Sequence, residues 1–232
     1  MDQLFTKCEK PIKLLFIGNS ATYVHDIPKT LASLAAGAGY LVETKTIAIG
    51  GYTLAKQADS STEHGKSVLD EIANGYDIVF LQENGNCISS DAMCGATEDA
   101  CMVLDNAIRA SGAVTYIYVR PPYGTDKFGY TPFEQCIEFD KLFGKISKQL
   151  GSENVYVNRA FAYAMKYLPY DLWGPDHAHT SERGAYLAVC VFFSSLFHTT
   201  SAVLDPNGLP PQDACALQKV ADKVALDGWI FS

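Results

Sequence analysis

The chain alternates short apolar segments with longer segments of helical periodicity. The first apolar segment, residues 14–17, has no polar alternation, which is typical of a strand buried on both faces of a parallel sheet. Four later segments predict further strands, at residues 42–49, 77–81, 114–119 and 154–157. Apolar residues spaced three and four apart predict helices over residues 26–37, 97–110, 132–150, 160–167, 180–197 and 213–226.

This alternation of strands and helices predicts an α/β fold. Because each strand is followed by a helix, the strands are expected to form one central parallel sheet of five, with helices on both faces. The 232 residues contain no linker rich in proline, glycine, serine or charge. We therefore expect a single domain over residues 1–232, large enough for a substantial core.

The composition narrows the classes of partner and compartment. A formal net charge of −8 argues against nucleic acid or an anionic membrane as the main partner, because both repel an acidic surface. No apolar run is long enough to span a bilayer, and the start of the chain shows no apolar signal core. The seven cysteines are scattered without a Cys-x-x-Cys pair, which favours reduced thiols in a cytoplasmic protein. A signal removed ahead of Met1 is the alternative.

Polar residues with catalytic chemistry stand where the predicted elements end. Ser20 follows the first strand, Gly51 the second and Asn84 the third. Carboxyl ends of parallel strands lie on one edge of the sheet, where ligands of such folds bind. Asp176 and His179 stand just before a later helix. Acyl transfer needs these groups: a hydroxyl nucleophile, a base oriented by a carboxylate, and donors for the developing oxyanion.

The order of these blocks resembles the SGNH (GDSL-like) hydrolases. Gly18-Asn19-Ser20, Gly51, Asn84 and Asp176-x-x-His179 follow the four blocks of that family and span most of the chain. The resemblance implies a flavodoxin-like three-layer α/β/α sandwich. It also implies Ser20 as nucleophile, His179 as base and Asp176 as its orienter, with no cofactor. The oxyanion hole would consist of the Ser20 N–H, the Gly51 N–H and the Asn84 side chain.

Two blocks depart from the family pattern. Asn19 replaces the usual aspartate of Gly-Asp-Ser. The third block, usually Gly-x-Asn-Asp, is here Gln82-Glu83-Asn84-Gly85, so that the asparagine is kept but its surroundings differ. Leu81-Gln82 is similar to a Leu-Gln motif in an uncharacterised branch of the family. The role of Glu83 stays open: it would orient Asn84 or touch the substrate.

Other motifs fit less well. Gly18-x-Ser20-x-Thr22 lacks the second glycine of the α/β-hydrolase nucleophile elbow. Gly65-Lys66-Ser67 lacks the earlier glycine of a P-loop, since Ser60 holds that place.

The histidines leave a metal site as an alternative. His177, His179 and Asp176 are plausible zinc ligands, but the sequence supplies no evident further ligand to complete a site, and we expect no metal. His64 and His198 are expected on helix surfaces, and His25 on the surface or along the cleft.

The sequence thus predicts a serine esterase that hydrolyses small acyl esters, with acetyl esters of carbohydrates as the first choice by family analogy. Thioesters and lysophospholipids are further options. The alternative function is a non-catalytic protein of the same fold that binds a carbohydrate or another small ligand, which the altered third block motivates. The oligomeric state is not predicted.

Overall fold

The structure, a computed structural model, describes residues 10–231. Its centre is a five-stranded, entirely parallel sheet in the order β2-β1-β3-β4-β5. The strands are β1 (Ile12–Gly18), β2 (Val42–Ala48), β3 (Ile78–Leu81), β4 (Val114–Val119) and β5 (Glu153–Tyr156). All five fall on the predicted segments, and the flavodoxin-like three-layer sandwich is confirmed.

Helices cover both faces of the sheet. They are α1 (Ser20–Tyr23), α2 (Ile27–Gly37), α3 (Leu54–Ala58), α4 (Glu63–Ile72), α5 (Asp91–Ala110), α6 (Pro132–Leu150), α7 (Val157–Tyr167), α8 (Glu182–Phe197) and α9 (Pro211–Ala225). Helices α5 and α7 begin three or more residues before their predicted start. Helix α5 begins at Asp91, behind a Ser90 cap. The prediction started at residue 97 because the first turns of the helix lack apolar periodicity. Helix α7 begins at Val157, directly after β5.

Two separate cores explain the uninterrupted apolar strands. Successive side chains of β1 point to opposite faces. Leu14 and Phe16 join a core beneath α2, α7, α8 and α9, whereas Leu15 and Ile17 join a second core on the side of α3 to α6. Phe16 stacks on Phe80 of β3 with ring centroids 4.5 Å apart. Because both faces are buried, a strand with alternating polar residues would leave unpaired polar groups in one core.

The strand order creates a crevice at one end of the sheet. After β1 the chain adds β2 on one side, and β3, β4 and β5 follow on the other. The connections therefore diverge at β1 and β3, and open α/β sheets bind ligands at such a switch point, outside the carboxyl ends of the strands. The segments after β1, β2 and β3 all lie at this edge.

No helix among residues 10–231 is both long enough and apolar enough to cross a membrane.

Helix α8 fixes the segment that carries Asp176 and His179. A Cβ atom on Gly184, in its first turn, would lie 2.2 Å from the Leu172 carbonyl oxygen and 3.1 Å from Thr180 Cβ. Only a glycine allows this approach, because real Cβ atoms do not come so close to a backbone oxygen. The packing of α8 therefore depends on this position.

We expect Gly184→Ala to lower the free energy of unfolding by about 1–3 kcal/mol, as overpacked core positions do. The matched control is Gly144→Ala in the middle of α6, where a Cβ atom would meet nothing within 4 Å. That change should raise stability by about 0.5–1 kcal/mol, because alanine loses less conformational entropy in a helix. Denaturant unfolding of both variants measures the difference. Equal stability of the two would contradict the close approach of α8 to Leu172.

Candidate active site

Ser20 occupies the first helical turn after β1. It is the first residue of α1 and is half-buried. Asn19 caps this helix, and its Oδ1 accepts the Ala21 N–H at 3.1 Å. The Ser20 N–H lies in the first turn and so has no acceptor within the helix. A hydroxyl and a free backbone donor are thus presented at the carboxyl edge of the sheet.

A buried glutamine ties this serine turn (residues 18–23) to the end of β3. The Gln82 side-chain oxygen accepts the Asn19 N–H and the Thr22 hydroxyl, both at 2.9 Å. Gln82 is 1% exposed. A Cβ atom on Gly18 would lie 2.6 Å from this oxygen, so the glycine makes room for the contact.

The glycine loop (residues 49–54), which follows β2, packs against the same turn. The Asn19 side-chain amide donates to the Tyr52 carbonyl at 2.9 Å. Gly51 is exposed and has φ +73°, in the left-handed region that favours glycine. The structure therefore places Gly51 in a loop that is directly bonded to the residue before Ser20.

A second buried glutamine, which follows the glycine loop in the chain, binds the start of the serine turn. Gln57 of α3 is fully buried, and its amide donates to the Gly18 carbonyl at 2.8 Å. Its oxygen is 2.6 Å from His64 Nε2, so this nitrogen carries the proton and donates. The expectation of a surface His64 was wrong: the side chain is half-buried because it satisfies Gln57.

The asparagine loop (residues 82–88) follows β3. Asn84 is half-buried, and its Oδ1 accepts the Asn86 N–H at 3.1 Å, which caps a short 3₁₀ turn over Gly85–Ile88. Its amide nitrogen has no hydrogen bond to another described residue. The cap therefore fixes the side chain while the two amide hydrogens are left to donate elsewhere.

Glu83 belongs to this loop, but its side chain is buried inside the protein. It is 2% exposed and accepts the backbone N–H of Asn84 and that of Leu54. Burial raises the pKa of Glu83 to about 7, against the lowering effect of the hydrogen bonds from Asn84, Leu54 and Thr97.

Arg120 borders the asparagine loop on the side of β4. Its guanidinium donates to the Pro121 carbonyl at 2.9 Å and reaches the Ala178 carbonyl at 3.4 Å. It lies 4.4 Å from the centroid of the Tyr123 ring, in a cation–π contact. A Cβ atom on Gly85 would lie 2.4 Å from its Nη1 atom. The residue therefore connects the asparagine loop to the segment next to His179.

Asp176 and His179 form a hydrogen-bonded pair in the histidine loop (residues 171–181). His179 Nδ1 lies 2.6 Å from Asp176 Oδ2, and Asp176 Oδ1 accepts the backbone N–H groups of Ala178 and His179 at 3.0 Å. The bond from the His179 side chain, with these two, holds the pKa of Asp176 well below its usual range. The ionised carboxylate fixes the proton on Nδ1 and leaves Nε2 as a free acceptor. Side-chain exposures of 32% for His179 and 53% for Asp176 keep the pair open to solvent.

The histidine loop contacts the segment that carries Ser20. His25 stands two residues beyond the end of α1. Its Nε2 lies 2.9 Å from the Thr180 carbonyl oxygen and so donates to it. His25 and Asp26 both have positive φ, of 60° and 47°, so the backbone bends sharply there before α2. This contact joins the neighbour of His179 to the segment after Ser20.

Metal ligands are not clustered in the described part of the chain. Among residues 10–231, no group of three or more histidine, cysteine, aspartate or glutamate side chains could hold an ion. His177, the other histidine of the histidine loop, is exposed with φ 51°.

The sequence did not predict the supporting contacts of Gln57, His64, Gln82 and Arg120. Gln57 and Gln82 contact residues 39 and 63 positions away in the chain, and contacts over such distances leave no periodic pattern in the sequence. The one available signal was position, since Gln82 and Arg120 directly follow apolar strands.

Comparisons by sequence give no relative. No protein-family model matches the chain, and no curated protein matches it significantly.

Comparisons by structure do give matches. A DUF4886 family protein from Bacteroides uniformis is similar at a TM-score of 0.75 and 19% identity, covering 94% of this chain and 95% of that one. A protein from Slackia heliotrinireducens classed with the SGNH hydrolases matches at a TM-score of 0.69 and 24% identity, over 81% and 100% of the two chains. Axe2, an acetylxylan esterase from Geobacillus stearothermophilus, matches at 0.63 and 16%, over 84% and 98%. The chain therefore has an SGNH-hydrolase-like fold.

Proposed function

We propose that this protein is a serine esterase that acts on small acyl esters through Ser20, His179 and Asp176. The observation that carries the proposal is the Asp176–His179 pair, 2.6 Å apart, in a loop that bonds to the segment after Ser20. The SGNH-like fold supports it, because the serine, the pair and Asn84 occupy the block positions of that family.

The groups suit a two-step reaction. Ser20 Oγ attacks the ester carbonyl carbon as His179 Nε2 takes the serine proton, and Asp176 stabilises the imidazolium. The tetrahedral intermediate expels the alcohol, which receives that proton from His179. Water, deprotonated by His179, then attacks the acyl-serine, and the acid leaves as Ser20 regains its proton. The oxyanion would be bound by the Ser20 and Gly51 N–H groups and the Asn84 amide.

The substrate class follows the fold comparison. The similarity to an acetylxylan esterase favours acetyl esters of carbohydrates as the first class to assay.

The proposed partner is then a small-molecule ester, and the proposed reaction needs no cofactor. A cytoplasmic location agrees with the free thiols of Cys87, Cys94, Cys101, Cys136, Cys190 and Cys215.

The nucleophile is tested by covalent labelling. A fluorophosphonate probe should label the wild-type protein, and Ser20→Ala should abolish both labelling and hydrolysis of p-nitrophenyl acetate. Ser89→Ala is the matched control, an exposed serine at the end of the asparagine-loop turn, and should keep both. Folded wild-type protein that neither labels nor turns over ester would favour the non-catalytic, ligand-binding alternative.

The base is tested through its orienting carboxylate. Asp176→Asn should fold and lose up to about 10⁴-fold in kcat, because an amide favours the wrong tautomer and cannot stabilise the imidazolium. Asp171→Asn, an exposed change in the same loop, should be near wild type. A histidine base acts only in its neutral form, so wild-type activity should rise from mildly acidic to neutral pH, while Asp176, with its lowered pKa, stays ionised. A flat profile over that range would argue against a histidine base.

The proposed oxyanion donor is tested with two variants of Asn84, which distinguish the capping role of its oxygen from the donor role of its NH₂ group. Asn84→Asp keeps an oxygen for the Asn86 N–H but replaces the donating NH₂ by a carboxylate oxygen. Its kcat should fall by roughly 10²–10³ or more with little change in KM. Asn84→Ala should lose kcat similarly and also lose the cap, which costs about 0.5–2 kcal/mol of stability. Wild-type turnover in an unstable Asn84→Ala would remove Asn84 from the site.

A further inference from the structure

We infer that Glu83 is a positioning residue: its buried carboxyl group holds the glycine loop and the asparagine loop in one fixed arrangement. The inference rests on the proposed function, because the two loops carry the proposed oxyanion donors Gly51 and Asn84. Glu83 itself would touch neither substrate nor reacting atoms.

One side chain binds the backbone of both loops. Glu83 Oε1 and Oε2 lie 3.1 and 3.0 Å from the Leu54 N–H, at the end of the glycine loop. Oε1 also accepts the N–H of Asn84, and Oε2 accepts the Thr97 hydroxyl at 3.4 Å. Leu54 is the first residue of α3, so its N–H has no acceptor within the helix. The residue is also fully buried, so that water does not supply one. Glu83 supplies that acceptor.

The carboxyl group is buried without a cation to neutralise it. No lysine, arginine or histidine among residues 10–231 forms an ion pair with Glu83 within 4.0 Å. The thiols of Cys87 and Cys101 face its charge, and burial raises the pKa of both. Such a group destabilises a core unless donors satisfy it. Here the backbone donors come from the two loops, so the hydrogen bonds that satisfy the Glu83 carboxyl group also hold both loops in place.

The positions of the proposed oxyanion donors, Gly51 and Asn84, determine how well they stabilise an oxyanion. Oxyanion stabilisation needs donors about 2.7–3.1 Å from the oxyanion, placed before the reaction starts. Gly51 and Asn84 follow different strands, β2 and β3, which are not neighbours in the sheet. Glu83 bonds directly to the backbone of both loops and so helps to fix their relative position. Losing it should lower kcat more than it changes KM, since the donors act in the transition state.

The experiment uses two replacements of Glu83 in the full-length protein. Glu83→Met has similar length but no acceptor, so the amides of Leu54 and Asn84 lose their partner. Glu83→Gln keeps Oε1 for both amides, and its NH₂ can donate to Thr97 Oγ1. We expect Glu83→Met to lose about 10- to 10³-fold in kcat, by analogy with loss of one oxyanion donor. Glu83→Gln should stay within roughly threefold of wild type on the same scale.

The control removes another buried carboxyl group away from the site. Asp105 of α5 is 4% exposed and accepts the Thr115 hydroxyl and Arg109 Nε. Asp105→Leu should lower the melting temperature as Glu83→Met does, but keep wild-type kcat. Equal kcat in Glu83→Met and Asp105→Leu would overturn the positioning role and leave only a structural one, while Ser20 labelling would still support the esterase.

The pH dependence of stability gives a second readout. The pKa of Glu83 is raised from 4.5 to about 7 on folding, so between these pH values the folded protein holds a proton that the unfolded chain has lost. Stability from Glu83 is therefore lost as pH rises through that window. Glutamine has no such titration. The melting temperature of wild type minus that of Glu83→Gln should fall from pH 4.5 to 7; a constant difference would contradict a buried, titrating Glu83.

Amide hydrogen exchange separates this inference from the proposed function. Peptides covering residues 50–55 and 82–87 should exchange faster in Glu83→Met than in wild type or Asp105→Leu, since both loops lose their shared acceptor. If wild type shows no esterase activity, the proposed function fails and exchange alone decides whether Glu83 couples the loops. Unchanged exchange in both peptides would overturn the coupling itself.

Discussion

The side-chain oxygen of Gln82 fixes the turn that carries Ser20 to the neighbouring strand. It is buried and receives two donors, the backbone N–H of Asn19 and the hydroxyl of Thr22. A buried acceptor that loses a donor costs about 1–3 kcal/mol, so the turn has one favourable position relative to β3. The Gln82 amide in turn donates to the Glu83 carbonyl. The serine turn and the asparagine loop are therefore parts of one bonded unit.

This unit extends around the carboxyl edge of the sheet through backbone acceptors. Gln57 reaches the Gly18 carbonyl, and Arg120 reaches the Ala178 carbonyl beside His179. In each case a buried polar side chain holds a segment of loop backbone. A loop placed this way keeps its own side chains free for chemistry, as seen for the amide of Asn84 and for Nε2 of His179. Rigid support beneath free functional groups is what preorganised catalysis requires.

The sequence predicted what depends on local pattern. The apolar runs located all five strands, and the order of the blocks pointed to Ser20, Gly51, Asn84, Asp176 and His179. The hydrogen bond between Asp176 and His179 follows a spacing of three residues, so it lies within the reach of sequence reasoning. The contacts of Gln82 with Asn19 depend on the register of β1 against β3, which no local pattern contains. His64 was misplaced for the same reason, because its partner Gln57 is known only from the packing of α3 on α4.

The two departures from the SGNH pattern converge on one loop. Asn19, in place of aspartate, accepts the Ala21 N–H through its oxygen and donates to the Tyr52 carbonyl through its nitrogen. An aspartate could make only the first of these contacts, because an ionised carboxylate has no donor. Glu83, in the altered third block, accepts the N–H of Leu54, two residues further along the same loop. The glycine loop is thus held at the Tyr52 carbonyl by Asn19 and at the Leu54 N–H by Glu83. Gly51 is exposed at φ +73° and has no side chain to anchor it, so the bonds of its neighbours Tyr52 and Leu54 help to hold the loop around it. The two side chains that depart from the SGNH pattern therefore hold the same loop, Asn19 at a carbonyl and Glu83 at an N–H.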